Sequence, residues 1–237
     1  VISFLMGRKT MLKIRKENLL LRPKIIFPCL ALGAATFVMQ ASESVISVCF
    51  NASLQSYGGD MAVSAMAILT SVMQFALLPL QGLGQGAQPI ISYNYGAGNK
   101  ERVKATMKRM ILVCLIGTLL LAGVAIFAPQ IYTGLFTDNK ELLELTCKVI
   151  PVYFLGISIF GIQCACQTSF ISLGQAKVSL FIALLRKIIL LIPLAIILPK
   201  FMGVMGIYRA EPIADVISVL TTSAVFIITV KKVLRNM

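Results

Sequence analysis

Three carboxylates stand where water is scarce. Glu43 falls about midway along one apolar run, and Glu211 and Asp215, four residues apart, fall near one end of another. An ionised carboxylate in hydrocarbon costs several kcal/mol unless it faces protein or water, so each is a functional candidate by default. The available chemistry is narrow: a buried carboxylate takes up and releases a proton, or it coordinates a cation when ionised. Glu43 is the leading ion-coupling candidate, because Gln40 and Ser47 lie about one turn to either side. Glu211 and Asp215 are secondary candidates, since Arg209 lies beside them and local ion pairing explains them about as well.

Polar residues recur around these acids at helical spacing. Gln40, Glu43, Ser44, Ser47 and Asn51 follow one another at intervals of three and four, which puts them on one helical face. Ser64, Ser71, Gln74, Gln81, Gln85 and Gln88 make a second stripe, Gln163 and Gln167 a third, and Glu211, Asp215, Ser218 and Thr222 a fourth. Any one Ser or Gln is explained by hydrogen bonding across a helix bundle. Four stripes together are better explained by a polar cavity, with Gln40, Ser47, Asn51, Gln74, Gln163 and Gln167 as its lining candidates.

Other chemistry is excluded or unsupported. The sequence has no His, which removes imidazole bases, Ser-His triads and histidine-ligated zinc, and no Trp. Its six Cys lie nearly all in apolar runs without a CxxC pair and are read as small apolar residues. Gly82, Gly84 and Gly86 form a GxGxG run, but it follows an apolar helix and lacks the strand and acidic partner of a dinucleotide fold. We therefore expect no enzyme, no resident metal and no cofactor.

The elements that must position these residues are membrane spans. Of 237 residues, 58% are apolar and 13% charged, against roughly 45–50% and about 25% in soluble domains. A helix crosses a bilayer core of about 30 Å in about 20 residues. Six spans are predicted, over residues 25–50, 61–93, 108–130, 149–173, 178–198 and 205–230. They come after a segment 1–24, read as the end of a preceding helix and a basic loop, and precede a short tail 231–237. The second is too long for one straight span, and its Gly run with Pro89 predicts a kink or an interfacial continuation. The net charge of +13 is a topology signal in place of a nucleic-acid one: most Lys and Arg fall in 7–24, 94–109, 174–187 and the tail, alternating with poor connections. That pattern puts both ends in the cytoplasm of a multi-pass cell-membrane protein.

The stretch from Tyr57 to Arg109 carries a longer pattern: Gly82, Gln85, Gly86, Pro89, Ile90, Ile91, Ser92, Tyr93, Asn94, Tyr95, Gly96 and Ala97, followed by a basic loop. It strongly resembles the multidrug and toxic compound extrusion (MATE) family, and Ile192-Pro193-Leu194 and Glu211-Pro212-Ile213-Ala214-Asp215 look like its MepA/DinF-type branch. The resemblance implies an all-α, six-transmembrane-helix bundle equivalent to the C-terminal lobe of a twelve-helix transporter, with an N-terminal six-helix lobe as its missing partner. It implies cation-coupled antiport, by proton or sodium, that exports drugs or other organic compounds. It also places Glu43 where some members carry the cation-coordinating acid of the second lobe. Their tenth-helix aspartate has no counterpart in Ile159-Phe160-Gly161-Ile162-Gln163, so a sodium site built like theirs does not carry over. The alternatives are a lipid-linked oligosaccharide flippase of the same fold group, or a non-transporting remnant or scaffold subunit.

Overall fold

The computed structural model describes residues 23–235; the side chains of 24, 25, 27–36 and 38–40 lie outside that description, and so do 1–22 and 236–237. The predicted helix end and basic loop of 1–24, most of the early part of the first predicted span and the side chain of Gln40 therefore fall outside the described residues. The chain divides into two compact units, 1–41 and 42–237. All three candidate acids lie in the second.

Every described element is helical. Helix α1 runs Pro23–Gly96, α2 Lys100–Phe127, α3 Pro129–Thr133, α4 Lys140–Ser172, α5 Ala176–Leu184, then a π-helical stretch Leu185–Leu191, α6 Ile192–Met202 and α7 Val204–Arg235. Five helical stretches among the described residues are long and apolar enough to cross a membrane, the first of them Ala41–Gly96. That first stretch is two arms. Gly59 sits at φ 63°, ψ −163° within it, a conformation essentially reserved for glycine. Counted separately, the two arms bring the long helical segments to the number of a six-helix lobe.

The kink falls there, beside Gly58, and not in the Gly82–Gly86 run. Helical φ/ψ persist from Asp60 to Gly96, so the long second span continues past the predicted end at 93. Only Gly84 of the three glycines is a packing position: a Cβ there would lie 3.0 Å from the Thr168 hydroxyl, whereas Gly82 and Gly86 have nothing within 4 Å. The other boundaries reflect local chemistry. Asn99 caps α2 by accepting from the Arg102 amide, and Asn139 caps α4 by accepting from the amides of Glu141 and Leu142. Gly203, at φ 59°, turns α6 into α7 within one residue, and a Cβ on Gly206 would meet the Leu198 carbonyl oxygen at 2.5 Å.

Helix α4 is the centre of the lobe. Gly161 brings it against α2 so closely that a Cβ would lie 2.3 Å from the Cys114 carbonyl oxygen, and Thr118 donates to the Ser158 carbonyl at 3.0 Å. On another side Gly156 lies against Pro212 and Asp215 of α7, and Phe170 meets Phe226 edge-on, ring centres 5.6 Å apart. The two α4–α7 contacts keep nearly the same sequence offset, so these helices run parallel. Ser92 and Ser172 tie the end of α1 to the end of α4. The main core collects Leu54, Leu69, Phe154, Ile157 and Ile207 from α1, α4 and α7, all fully buried. Tyr208 locks it by donating to the Ala62 carbonyl at 2.9 Å.

Candidate functional site

Residues 185–191 depart from the α-helix, and Pro193 follows one residue beyond them. Proline has no N–H to return to the preceding turn, and a widened π turn is a common accommodation of such breaks at functional positions. Arg186 and Lys187 sit in that turn. Arg186 lies about 15 Å along the helical path from Ala176, and Asp215 about 16 Å along α7 from Val204, at 1.5 Å per residue. Both are well inside their spans.

Arg186 points at α7. Its Nε donates to Asp215 Oδ1 at 2.7 Å, and its Nη2 donates to Glu211 Oε1 at 2.7 Å while standing 2.6 Å from Asp215 Oδ1. All three side chains are buried, Asp215 completely. The guanidinium also lies over the Phe160 ring, 4.5 Å from its centre, a cation–π contact that a planar, weakly hydrated Arg makes better than Lys. Neighbouring Lys187 points to a different helix and pairs with Glu43 on the first arm of α1. Glu43 is exposed on the lobe and Lys187 is mostly covered, so this second pair closes the cluster towards the open side.

The acids' partners therefore differ from the sequence expectation. Glu211 and Asp215 pair with Arg186 across the bundle and not with Arg209, whose described contact is a 3.8 Å approach to the Met202 sulfur. Arg186 and Lys187 are not connection residues of 174–187. They are interior cations of the fifth span, held there because two buried carboxylates and Glu43 compensate them. A signal for this is present in the sequence: Leu180–Leu185 and Ile188–Ile192 flank the Arg-Lys pair with apolar residues on both sides. Without the pair, that connection keeps Lys177, and the basic alternation rests mainly on 7–24, 94–109 and the tail.

Below the ion pairs runs a column of buried oxygens. Asp215 Oδ2, Ser218 Oγ, Thr222 Oγ1 and Gln163 Oε1 are buried without a hydrogen-bond partner. Asp215, Ser218 and Thr222 share one face of α7. Gln163 stands two turns beyond Gly156 as Thr222 stands two turns beyond Asp215, and with α4 parallel to α7 it comes level with Thr222. The Phe170–Phe226 contact closes the column further along. Buried oxygens of this kind are ordinarily satisfied by water or an ion.

The remaining polar candidates are dispersed. Ser47, Asn51 and Gln74 are exposed and Gln167 is half-buried, so Gln163 alone among the described lining candidates sits at the buried cluster. The motif residues hold one end of α1. Asn94 is buried, donates to the Ile90 carbonyl and accepts the Asn99 amide on its backbone oxygen. Gln85, Pro89, Tyr93 and Gly96 are exposed.

A bundle of long apolar helices with ionisable groups paired in its interior is an integral, multi-pass membrane protein. The chain belongs to the MatE family, whose model matches residues 35–197. It is 27% identical over 186 residues to the multidrug export protein MepA of Staphylococcus aureus (strain MSSA476), covering 78% of this chain and 40% of that protein. Its fold matches a crystal structure of MATE in the bent conformation with TM-score 0.86 at 14% identity, over 99% of this chain and 52% of the other. It also matches an outward-facing multidrug resistance MATE transporter with TM-score 0.84 at 16% identity, over 98% and 52%. The chain thus spans less than half the length of that relative and about half the length of these structures.

Proposed function

We propose that the chain is one lobe, equivalent to the C-terminal one, of a cation-coupled exporter of organic compounds in the cell membrane, both its ends on the cytoplasmic side, completed by a second six-helix lobe. The observation that carries this reading is the charge balance of the interior cluster. Among the described residues, Glu43, Glu211 and Asp215 pair with Arg186 and Lys187 alone, which leaves the described cluster with one more carboxylate than cations. Uptake of one H+ or Na+ neutralises the extra charge, and its release restores it. That is the requirement for coupling an ion gradient to a change of state.

Glu43 is the residue through which the ion exchanges. It is the exposed member of the cluster, and its pairing with Lys187 makes its occupancy felt by Arg186 next door and hence by Asp215 and Glu211. Export is inferred from the relatives, among them a multidrug export protein. The flippase reading is weaker, because among the described residues both cations of the interior cluster already have carboxylate partners. The test joins this chain with a matching first lobe in inverted vesicles. The joined protein drives substrate against an imposed proton or sodium gradient, the chain alone does not, and Glu43→Gln abolishes the gradient-driven part while membrane insertion persists. Efflux unchanged by Glu43→Gln refutes the coupling role; efflux by the chain alone refutes the half-transporter.

A further inference from the structure

Helix α7 has two opposed faces. Glu211, Asp215, Ser218 and Thr222 point into the lobe, while Ile213, Val216, Ile217 and Leu220 are exposed. Above the exposed stripe an open cleft of about 540 Å³ lies among α2, α4 and α7. Ile126, Pro151, Leu155, Pro212 and Val216 line it, and every lining side chain apart from Arg209 is apolar. Its origin is local. Pro151 and Pro212 lie inside facing helices, and each lacks a backbone donor and the side-chain volume a longer residue would place there.

Arg209 stands at the mouth, half-buried, and among the described residues it forms no ion pair. A cation in a span without a carboxylate calls for an anion or for the headgroup layer. The mouth lies at the end of the lobe that carries the Gly203 turn and α3, opposite the basic loop at 97–109. The cleft opens on the apolar stripe of α7 and not on the polar cluster, so what enters it comes from the bilayer. We infer that this cleft is a binding site for one anionic phospholipid of the adjacent leaflet, its acyl chain in the cleft and its phosphate on the Arg209 guanidinium. Charge complementarity sets the headgroup, and the apolar walls set the tail. The inference requires only that the lobe lies in a bilayer; it is independent of the coupling role of Glu43.

The absence of Trp from the sequence makes a direct test available. A single Leu220→Trp reporter is placed beside the cleft, with Ile217→Trp as a second should the first fail to insert. The full chain is reconstituted in vesicles of phosphatidylcholine with increasing brominated phosphatidylglycerol or brominated phosphatidylcholine. Half-maximal quenching is expected at a mole fraction about fivefold lower for the anionic lipid, the preference one Arg confers. Adding Arg209→Gln is expected to erase the difference, and a Phe181→Trp reporter on α5 is expected to show none. Equal quenching by the two lipids overturns the inference, as does a preference that survives Arg209→Gln. Relief of quenching by tetraphenylphosphonium also overturns it, because the cleft then admits a lipophilic cation in preference to an anionic lipid.

Discussion

Replacing Arg186 by Met tests how the interior cluster is held. Met has similar length and keeps contact with Phe160, so the volume changes little while the charge is lost. What remains is Glu211 and Asp215, 5% and 0% exposed, one turn apart on α7 and without an ion-pair partner among the described residues. Removing one partner of a buried ion pair costs about 3–5 kcal/mol, because the desolvation penalty of the survivors is no longer offset. For a chain of this size about 1 kcal/mol corresponds to roughly 2–4 °C in Tm, so a loss on the order of 10 °C is expected. A thiol-reactive dye reports it in detergent micelles, since Cys114 and Cys166 are buried and become labelled only on unfolding. The decisive comparison is the triple variant Arg186→Met, Glu211→Gln, Asp215→Asn. With no charge left to compensate, it regains most of the lost Tm, as apolar and neutral replacements of buried charge networks do. A single Arg186→Met within about 2 °C of the parent, less than the shift expected for 1 kcal/mol, refutes the geometry of the cluster. A triple variant no better than the single one refutes the charge argument in favour of packing.

Packing and burial outside the membrane each set a further outcome. Gly161→Ala puts a Cβ 2.3 Å from the Cys114 carbonyl oxygen, a backbone atom that moves only if α2 and α4 separate, whereas Gly123→Ala meets nothing within 4 Å and gains about 0.5–1 kcal/mol of helix propensity; the dye assay should lower Tm for the first and hold or raise it for the second, and equal behaviour refutes the close approach. Tyr132 lies in the short α3, and burial pushes its phenol above its ordinary ionisation range. A group that ionises later when folded stabilises the fold below its unfolded value, near 10, and that contribution is lost as pH rises through the folded value. The parent should therefore lose Tm faster than Tyr132→Phe as pH rises above about 10, and parallel curves refute the burial.

Glu43 and Asp215 are recognisable as candidates from the sequence because a carboxylate inside an apolar run is anomalous at the level of a single segment. Their partners are not. Arg209 is Glu211's neighbour in sequence, but the cation that reaches Glu211 and Asp215 is Arg186, a helix away. A hydropathy reading assigns an Arg-Lys pair to the nearest connection, and it has no means of seeing that a π turn before Pro193 aims the two side chains at different helices. Gln163 illustrates the same limit. As one of several Gln residues at helical spacing it is indistinguishable from Gln74 or Gln167 until α4 and α7 are seen to run parallel, which places it beside Thr222.

Membrane class, a bundle of six spans and the family are legible in the sequence alone. These depend on composition summed over 20-residue windows and on a contiguous motif, both local quantities. The fold was needed to see that the helix breaks at Gly59 and not in the Gly82–Gly86 run, that three carboxylates share two cations, and that Pro151 and Pro212 line a cleft with Arg209. Each of those depends on the register between helices distant in sequence. Interhelical contact is set by where small residues such as Gly156 and Gly161 let backbones meet, and no local periodicity encodes that.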